Sequence, residues 1–140
     1  MLFLAFQVGD QGFALAADRI VEILPLLDVQ KIGGVASACG GLISYRGTFI
    51  PVIDLGQLQL GRPAPDRMGT RIVLVTIERE ERHFLLGLIV ESATQTMRCE
   101  PDAFTPFAPG PRGLVQMLDT DQLLSEIPAD LLLVGDDGRP

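Results

Sequence analysis

"GGLISYRGTFIPVIDL", residues 40–55, is the stretch whose reading decides the fold. An apolar run ends at Tyr45, breaks at Arg46-Gly47, and resumes by Phe49. Two such runs parted by a two-residue break ending in glycine read as a β-hairpin, because a tight hairpin turn needs positive φ and glycine supplies it at no steric cost. Pro51 has no amide donor, so its strand is an edge at that point or carries a bulge. Val52 carries the run to Asp54, which stands where a helix N-cap belongs before "LGQLQLG". Arg46 falls at the tip of the hairpin. Its planar fork can grip a carboxylate on another protein, or it can face solvent and pair within the chain, for instance with Glu22. The residues alone leave those two readings open.

Working outward, "FLAFQV" and "FALAADRIVEI" flank the turn "GDQG" and predict a first hairpin. Residues 25–39 are looser and predict a loop with a short strand near residues 29–32. Residues 61–70, "GRPAPDRMGT", read as a linker or surface loop because Pro63 and Pro65 exclude regular structure. "RIVLVTI" is β-branched and apolar throughout, the signature of a central strand. "EREERH" reads as a charged turn and "FLLGLIVESATQTM" as strand. "EPDAFTPFAPGPRG" reads as a proline-rich loop, "LVQML" as a last strand, and "DTDQLLSEI" as a closing helix capped by Asp119. The tail over residues 135–140 is expected to be mobile. Short strands separated by turns predict a mainly β sandwich or barrel with short helices after strands.

The chain also repeats itself. Leu4, a turn, Phe13 and Val21-Glu22 are echoed by Leu74, a charged turn, Phe84 and Val90-Glu91. Arg46-Gly47, Val52-Ile53-Asp54 and Gln57-Leu58 are echoed by Arg112-Gly113, Met117-Leu118-Asp119 and Gln122-Leu123. Several pairs in one order predict two similar halves, with sub-barrels over 1–66 and 67–135 inside a single domain spanning 1–140.

Composition narrows the function. A chain of 140 residues with 47% hydrophobic and 21% charged residues can bury a core. A net charge of −7 repels phosphate backbones and acidic lipid surfaces, which argues against nucleic acid and direct membrane insertion. No apolar run is long enough to span a bilayer, and "MLFLAFQV" lacks the basic flank of a signal peptide. Cys39 and Cys99 are far apart, and cytoplasmic, reduced thiols are expected.

Catalytic patterns are poorly supplied. His83 is the single histidine and stands in a charged turn without a nucleophile motif. The residues predict no metal site, since two isolated cysteines and one histidine form no ligand cluster, and no cofactor, since the glycines at 33, 34, 40 and 41 are not spaced as a phosphate loop. "MLDTDQLL" invites comparison with the Asp-Thr-Gly of aspartic proteases, but Asp121 stands in the glycine's place and adds like charge.

At this point the pattern resembles a known family. Gly41, Ile43, Arg46, Gly47, Pro51, Val52, Asp54 and Leu55 match the signature of CheW-like domains, G-x-I-N-x-R-G-x-x-x-P-V-x-D-L. Ile20 and Glu22 match the family's V-x-E-I element, and "MLDTDQLL" resembles its closing L-L-D-x-x-x-L-L. The resemblance implies two SH3-like β-barrels packed on a shared hydrophobic core and a non-enzymatic adaptor. Its implied partners are the histidine kinase CheA, through that kinase's regulatory domain, and the cytoplasmic tips of methyl-accepting chemoreceptors. The implied binding residues are Arg46, Ile20, Glu22, Gly41, Ser44 and Gly47, with Pro51, Val52, Asp54 and Asp119 as structural motif. Ser44 replaces the signature's asparagine. The stretch between Arg98 and Val115 is shorter than in the family, so the second barrel is expected to lack a strand pair or to be open, and an exposed edge would invite self-association. An accessory or antagonist of a non-motility chemosensory-like pathway is the alternative, and a small enzyme using Asp119 or Asp54 a distant third.

Overall fold

The computed structural model describes residues 1–26, 29 and 39–125. Among the described residues nine strands follow one another: β1 (Leu2–Val8), β2 (Gln11–Ala16), β3 (Ile20–Pro25), β4 (Cys39–Tyr45), β5 (Thr48–Asp54), β6 (Arg71–Arg79), β7 (Arg82–Arg98), β8 (Phe107–Gly110) and β9 (Gly113–Met117). Helix α1 (Leu55–Leu60) follows β5, and α2 (Thr120–Leu124) follows β9. The strand expected near residues 29–32 and the tail at 135–140 lie outside the described residues, Val29 apart.

Strand pairing divides the chain into two units of five strands. In one, β3, β6, the first half of β7, β5 and β4 lie in that order. In the other, the second half of β7, β1, β2, β9 and β8 do. The two orders match strand for strand, down to the parallel pairs β5–β7 and β2–β9. The repeat read from the sequence is therefore structural. Its alignment shifts at one point: Tyr45 and Thr48 close one turn, Gly110 and Gly113 the other. Arg46 is thus the first residue of its turn and Arg112 the second of its own.

The halves do not fold separately. Each unit takes a hairpin from one repeat and three strands from the other, so pairings β1–β7, β3–β6 and β5–β7 all cross a cut at 66/67. The boundary between 1–66 and 67–135 follows the sequence repeat and not the sheets. The reason is topological: β2 leads into β3 in the opposite unit, and β7 passes from one unit to the other. The switch along β7 falls at Glu91–Ser92. Ser92 takes φ +51, Arg112 donates to its Oγ at 3.0 Å, and the Glu91 carboxylate accepts the Gly9 amide at 2.8 Å.

Three apolar clusters follow from strand alternation. Between the units lie Leu4, Phe6, Val8, Phe13 and Leu15 against Val73, Val75, Ile77, Leu86, Leu88 and Val90. Inside the first unit lie Ile43, Ile50, Val52, Ile72, Leu74 and Ile89. Inside the second lie Phe3, Ala14, Ala16 and Val115, with Phe104 edge-on to Phe3 at 5.2 Å. Strands β1, β2, β5, β6 and β7 each contribute to more than one cluster, opposite faces to different ones. That is why they read as continuous apolar runs and not as alternating ones.

Three sequence expectations change. The proline-rich loop contains β8, whose Pro109 pairs with Leu114 at the edge of its sheet, where a missing amide costs no ladder bond. The second unit thus keeps its strand pair despite the short 98–115 stretch. The charged turn is confined to Glu80 and Glu81, both at positive φ, so His83 lies in β7 opposite Glu78 and is half-buried. The 61–70 linker is held down: the Ala64 amide donates to Asp54, the buried Thr70 hydroxyl donates to the Pro65 carbonyl at 2.6 Å, and the Ala93 amide donates to the Gly69 carbonyl.

The parallel contact of β2 on β9 is close. A Cβ at Gly12 would meet the Leu114 carbonyl oxygen at 2.8 Å and the Val115 Cγ1 at 2.9 Å. Backbone cannot yield there as a flexible side chain would. Gly12→Ala is expected to cost about 1–3 kcal/mol, measured by urea unfolding.

Candidate functional site

The β4–β5 turn carries the unusual backbone. Arg46 has φ +48 and Gly47 φ +80, the signs a two-residue hairpin turn of the I′ type requires. Glycine or asparagine is the inexpensive choice at the first of these positions. An arginine there accepts a steric penalty of about 1–2 kcal/mol. The exposed β6–β7 turn holds Glu80 and Glu81 at positive φ as well, so what sets Arg46 apart is the contact its side chain makes.

That side chain is not idle. The Arg46 Cζ lies 5.2 Å from the centroid of the Tyr45 ring, within cation–π range. Tyr45 is half-buried and packs on the cluster of Ile43 and Ile50 inside the first unit. The Glu22 carboxylate beside its hydroxyl pushes the Tyr45 pKa above its ordinary value; burial adds to the rise and the Arg46 charge opposes it. Glu22 belongs to β3 and Tyr45 to β4, the two outer strands of the unit. Their approach therefore brings side chains of the two outer strands toward each other.

Exposed apolar residues lie on the same strands. Val21 and Ile23 on β3 are 48% and 42% exposed, and Phe49 on β5 is 51% exposed, paired with the exposed Ser44. Strand alternation puts Val21 and Ile23 on the face of β3 away from Glu22, and Phe49 on the Ser44 face of the hairpin, so these apolar groups lie on the exposed side of the strands.

The residues singled out from the sequence separate into two groups. Glu22, Arg46 and Gly47 come together around Tyr45. Ser44 is exposed one residue before Tyr45, and so on the opposite face of β4. Ile20 is half-buried against the cluster between the units. Gly41 is buried at the β4 bulge with φ +133, a backbone that disfavours any side chain. Val52 is buried inside the first unit, and Pro51 stands opposite Leu42, one residue before β5 begins to pair with β7. Asp54 caps α1: its Oδ1 accepts the Gln57 amide at 3.2 Å and the Ala64 amide at 3.1 Å. Asp119 accepts the Gln122 amide at 3.4 Å. Both carboxylates thus serve backbone amides. Among the described residues no group of histidine, cysteine, aspartate and glutamate is arranged to hold a metal ion, and no helix is long and apolar enough to cross a membrane.

Sequence reasoning passed over Tyr45 and Phe49. Tyr45 had a signal: it is the only tyrosine and it precedes the turn. Its link to Glu22 had none, because nothing in the sequence says that β3 and β4 meet.

The lone tyrosine, with no tryptophan present, makes the site spectroscopically visible. Absorbance titration is expected to show one tyrosinate transition above the ordinary midpoint of about 10, falling back toward it in Glu22→Ala. The sign for stability follows from linkage. The raised group's contribution is whole below the unfolded value and is lost as pH rises through the folded one. A midpoint at or below the ordinary value would show that Glu22 does not act on the hydroxyl.

The family model of the CheW-like domain matches residues 2–127. Two curated proteins are similar. The probable chemotaxis protein CheW of Rhizobium etli is 24% identical over 103 residues, 74% of this chain and 64% of that protein, so slightly less than two thirds of its length is spanned. The chemotaxis protein CheW of Thermotoga maritima is 24% identical over 133 residues, 89% of this chain and 87% of that one. Among solved structures, the scaffolding protein TtCheW of Thermoanaerobacter tengcongensis superposes with a TM-score of 0.72 at 19% identity, covering 84% of this chain and 83% of its own. At that identity the likeness is one of fold.

Proposed function

This chain belongs to the CheW-like domain family, and from that premise we propose that it is a cytoplasmic, non-enzymatic coupling scaffold. Its partners in this reading are a CheA-type histidine kinase, held through the kinase's regulatory domain, and the cytoplasmic tips of chemoreceptors. Arg46 and its neighbours form one of its binding surfaces. The observation that carries the assignment of that surface is the exposed, backbone-strained Arg46 stacked on Tyr45.

The physical requirement for coupling is two surfaces on a stiff body. Strand β7 runs through both five-stranded units, and the largest apolar cluster lies between them, which supports such stiffness. The antagonist alternative drew on a missing strand pair, and β8 and β9 are both present. Titration into purified kinase and receptor fragment separates the readings. A coupler raises receptor-dependent kinase autophosphorylation, and a fall in that activity would favour the antagonist.

A further inference from the structure

We propose that Tyr45 is a positioning residue of this surface: its ring presets the Arg46 guanidinium for a partner's carboxylate, and Glu22 acts through Tyr45 and not by touching the partner. This rests on the reading of the β4–β5 turn as a binding surface. Three observations converge on it. The left-handed backbone at Arg46 sets the direction in which its side chain leaves the turn. The Tyr45 ring lies under the guanidinium at 5.2 Å. The ring is itself anchored, because it packs on the same apolar cluster as Leu24 of β3, the other outer strand of the unit.

The benefit is entropic. A free arginine carries about 2 kcal/mol of rotamer entropy, part of which is lost when its fork is fixed on a carboxylate. A ring that already restrains the fork reduces that loss. Glu22 completes the device: its carboxylate beside the hydroxyl restrains where the ring stands relative to β3. Acidic residues on a partner would otherwise be repelled by Glu22 and by the net charge of −7, so a held guanidinium also defines the point at which they are accepted.

Two readouts test this on the full-length protein. The first needs no partner: NMR relaxation of the Arg46 Nε–H. Its order parameter is expected to fall clearly in Tyr45→Leu, which keeps apolar volume in the core, and less in Tyr45→Phe and Glu22→Ala. An Arg46 side chain equally mobile in wild type and Tyr45→Leu overturns the proposal, whatever binds. The second is calorimetric affinity for the purified receptor cytoplasmic fragment and for the kinase regulatory domain, each alone. Whichever partner is sensitive to Arg46→Glu is expected to bind Tyr45→Leu roughly three- to tenfold more weakly. Glu22→Ala is expected to weaken binding in wild type but to add nothing in the Tyr45→Phe background. An equal loss in both backgrounds means that Glu22 touches the partner directly and overturns the proposal. Indifference of both partners to Arg46→Glu overturns instead the reading of the turn as a binding surface.

Discussion

Arg46→Glu is expected to lose capture of the partner that docks on the β4–β5 turn while its thermal unfolding stays where it was. Truncating one member of a desolvated, hydrogen-bonded charge pair costs about 2–5 kcal/mol, and reversal adds repulsion against the same carboxylate. Stability is insulated because Arg46 is exposed and its described contact is the ring of its neighbour, not the core. A companion variant sharpens the test. Arg46→Asn places a residue the I′ turn prefers at the φ of +48, so it is expected to stabilise the fold by about 0.5–1 kcal/mol, within the left-handed penalty that arginine bears, while binding is lost. Affinity and stability would then move in opposite directions. If arginine were kept for the turn's own sake they would fall together. Calorimetric unfolding beside titration with kinase and receptor fragments measures both, and full affinity in Arg46→Glu would remove this residue from the interface.

Asp54→Ala is expected to cost about 2–4 kcal/mol in chemical denaturation. The carboxylate is 8% exposed and caps α1 through Gln57, a contribution of about 1 kcal/mol. It also receives the Ala64 amide from the proline-rich segment, and losing that acceptor leaves a part-buried donor unmet at about 1–3 kcal/mol. A Cβ at Gly56 would sit 3.1 Å from Asp54 Oδ1 and 2.9 Å from the Ala64 nitrogen, so only glycine fits where the segment comes down on the cap. Asp119→Ala, at an exposed carboxylate, is expected to cost about 1 kcal/mol. The ratio matters for function as well. Were either aspartate catalytic, the isosteric Asp→Asn change would abolish an activity; for a cap it leaves binding largely intact. A cost at Asp54 no larger than the roughly 1 kcal/mol of a lone cap would refute the second role assigned to it.

Much of this was legible before any coordinates. The hairpin at 40–55 followed from a two-residue break ending in glycine, and the helix after Asp54 from a carboxylate placed before an amphipathic turn. Both are local, and local chemistry is written in consecutive residues. The proline-rich stretch was harder. Four prolines between Pro101 and Pro111 concealed β8, because an edge strand tolerates what a central one cannot. Propensity does not say which strands are edges. His83 was misplaced for a related reason: two glutamates at positive φ made the turn shorter than its run of charges suggested.

What the amino-acid order determined by itself was the type of each strong element, the doubling of the pattern and the turn on which Arg46 sits, since each depends on spacings of a few residues. Only the tertiary structure decided how the doubled pattern is shared out. Two copies of one motif can fold side by side or exchange strands with the same local sequence, and the choice depends on which long-range pairings bury both faces of β1, β2, β6 and β7. The same pairings set Glu22 on β3 beside the Tyr45 hydroxyl on β4, an approach no local spacing encodes, because the two are the outer strands of one five-stranded unit.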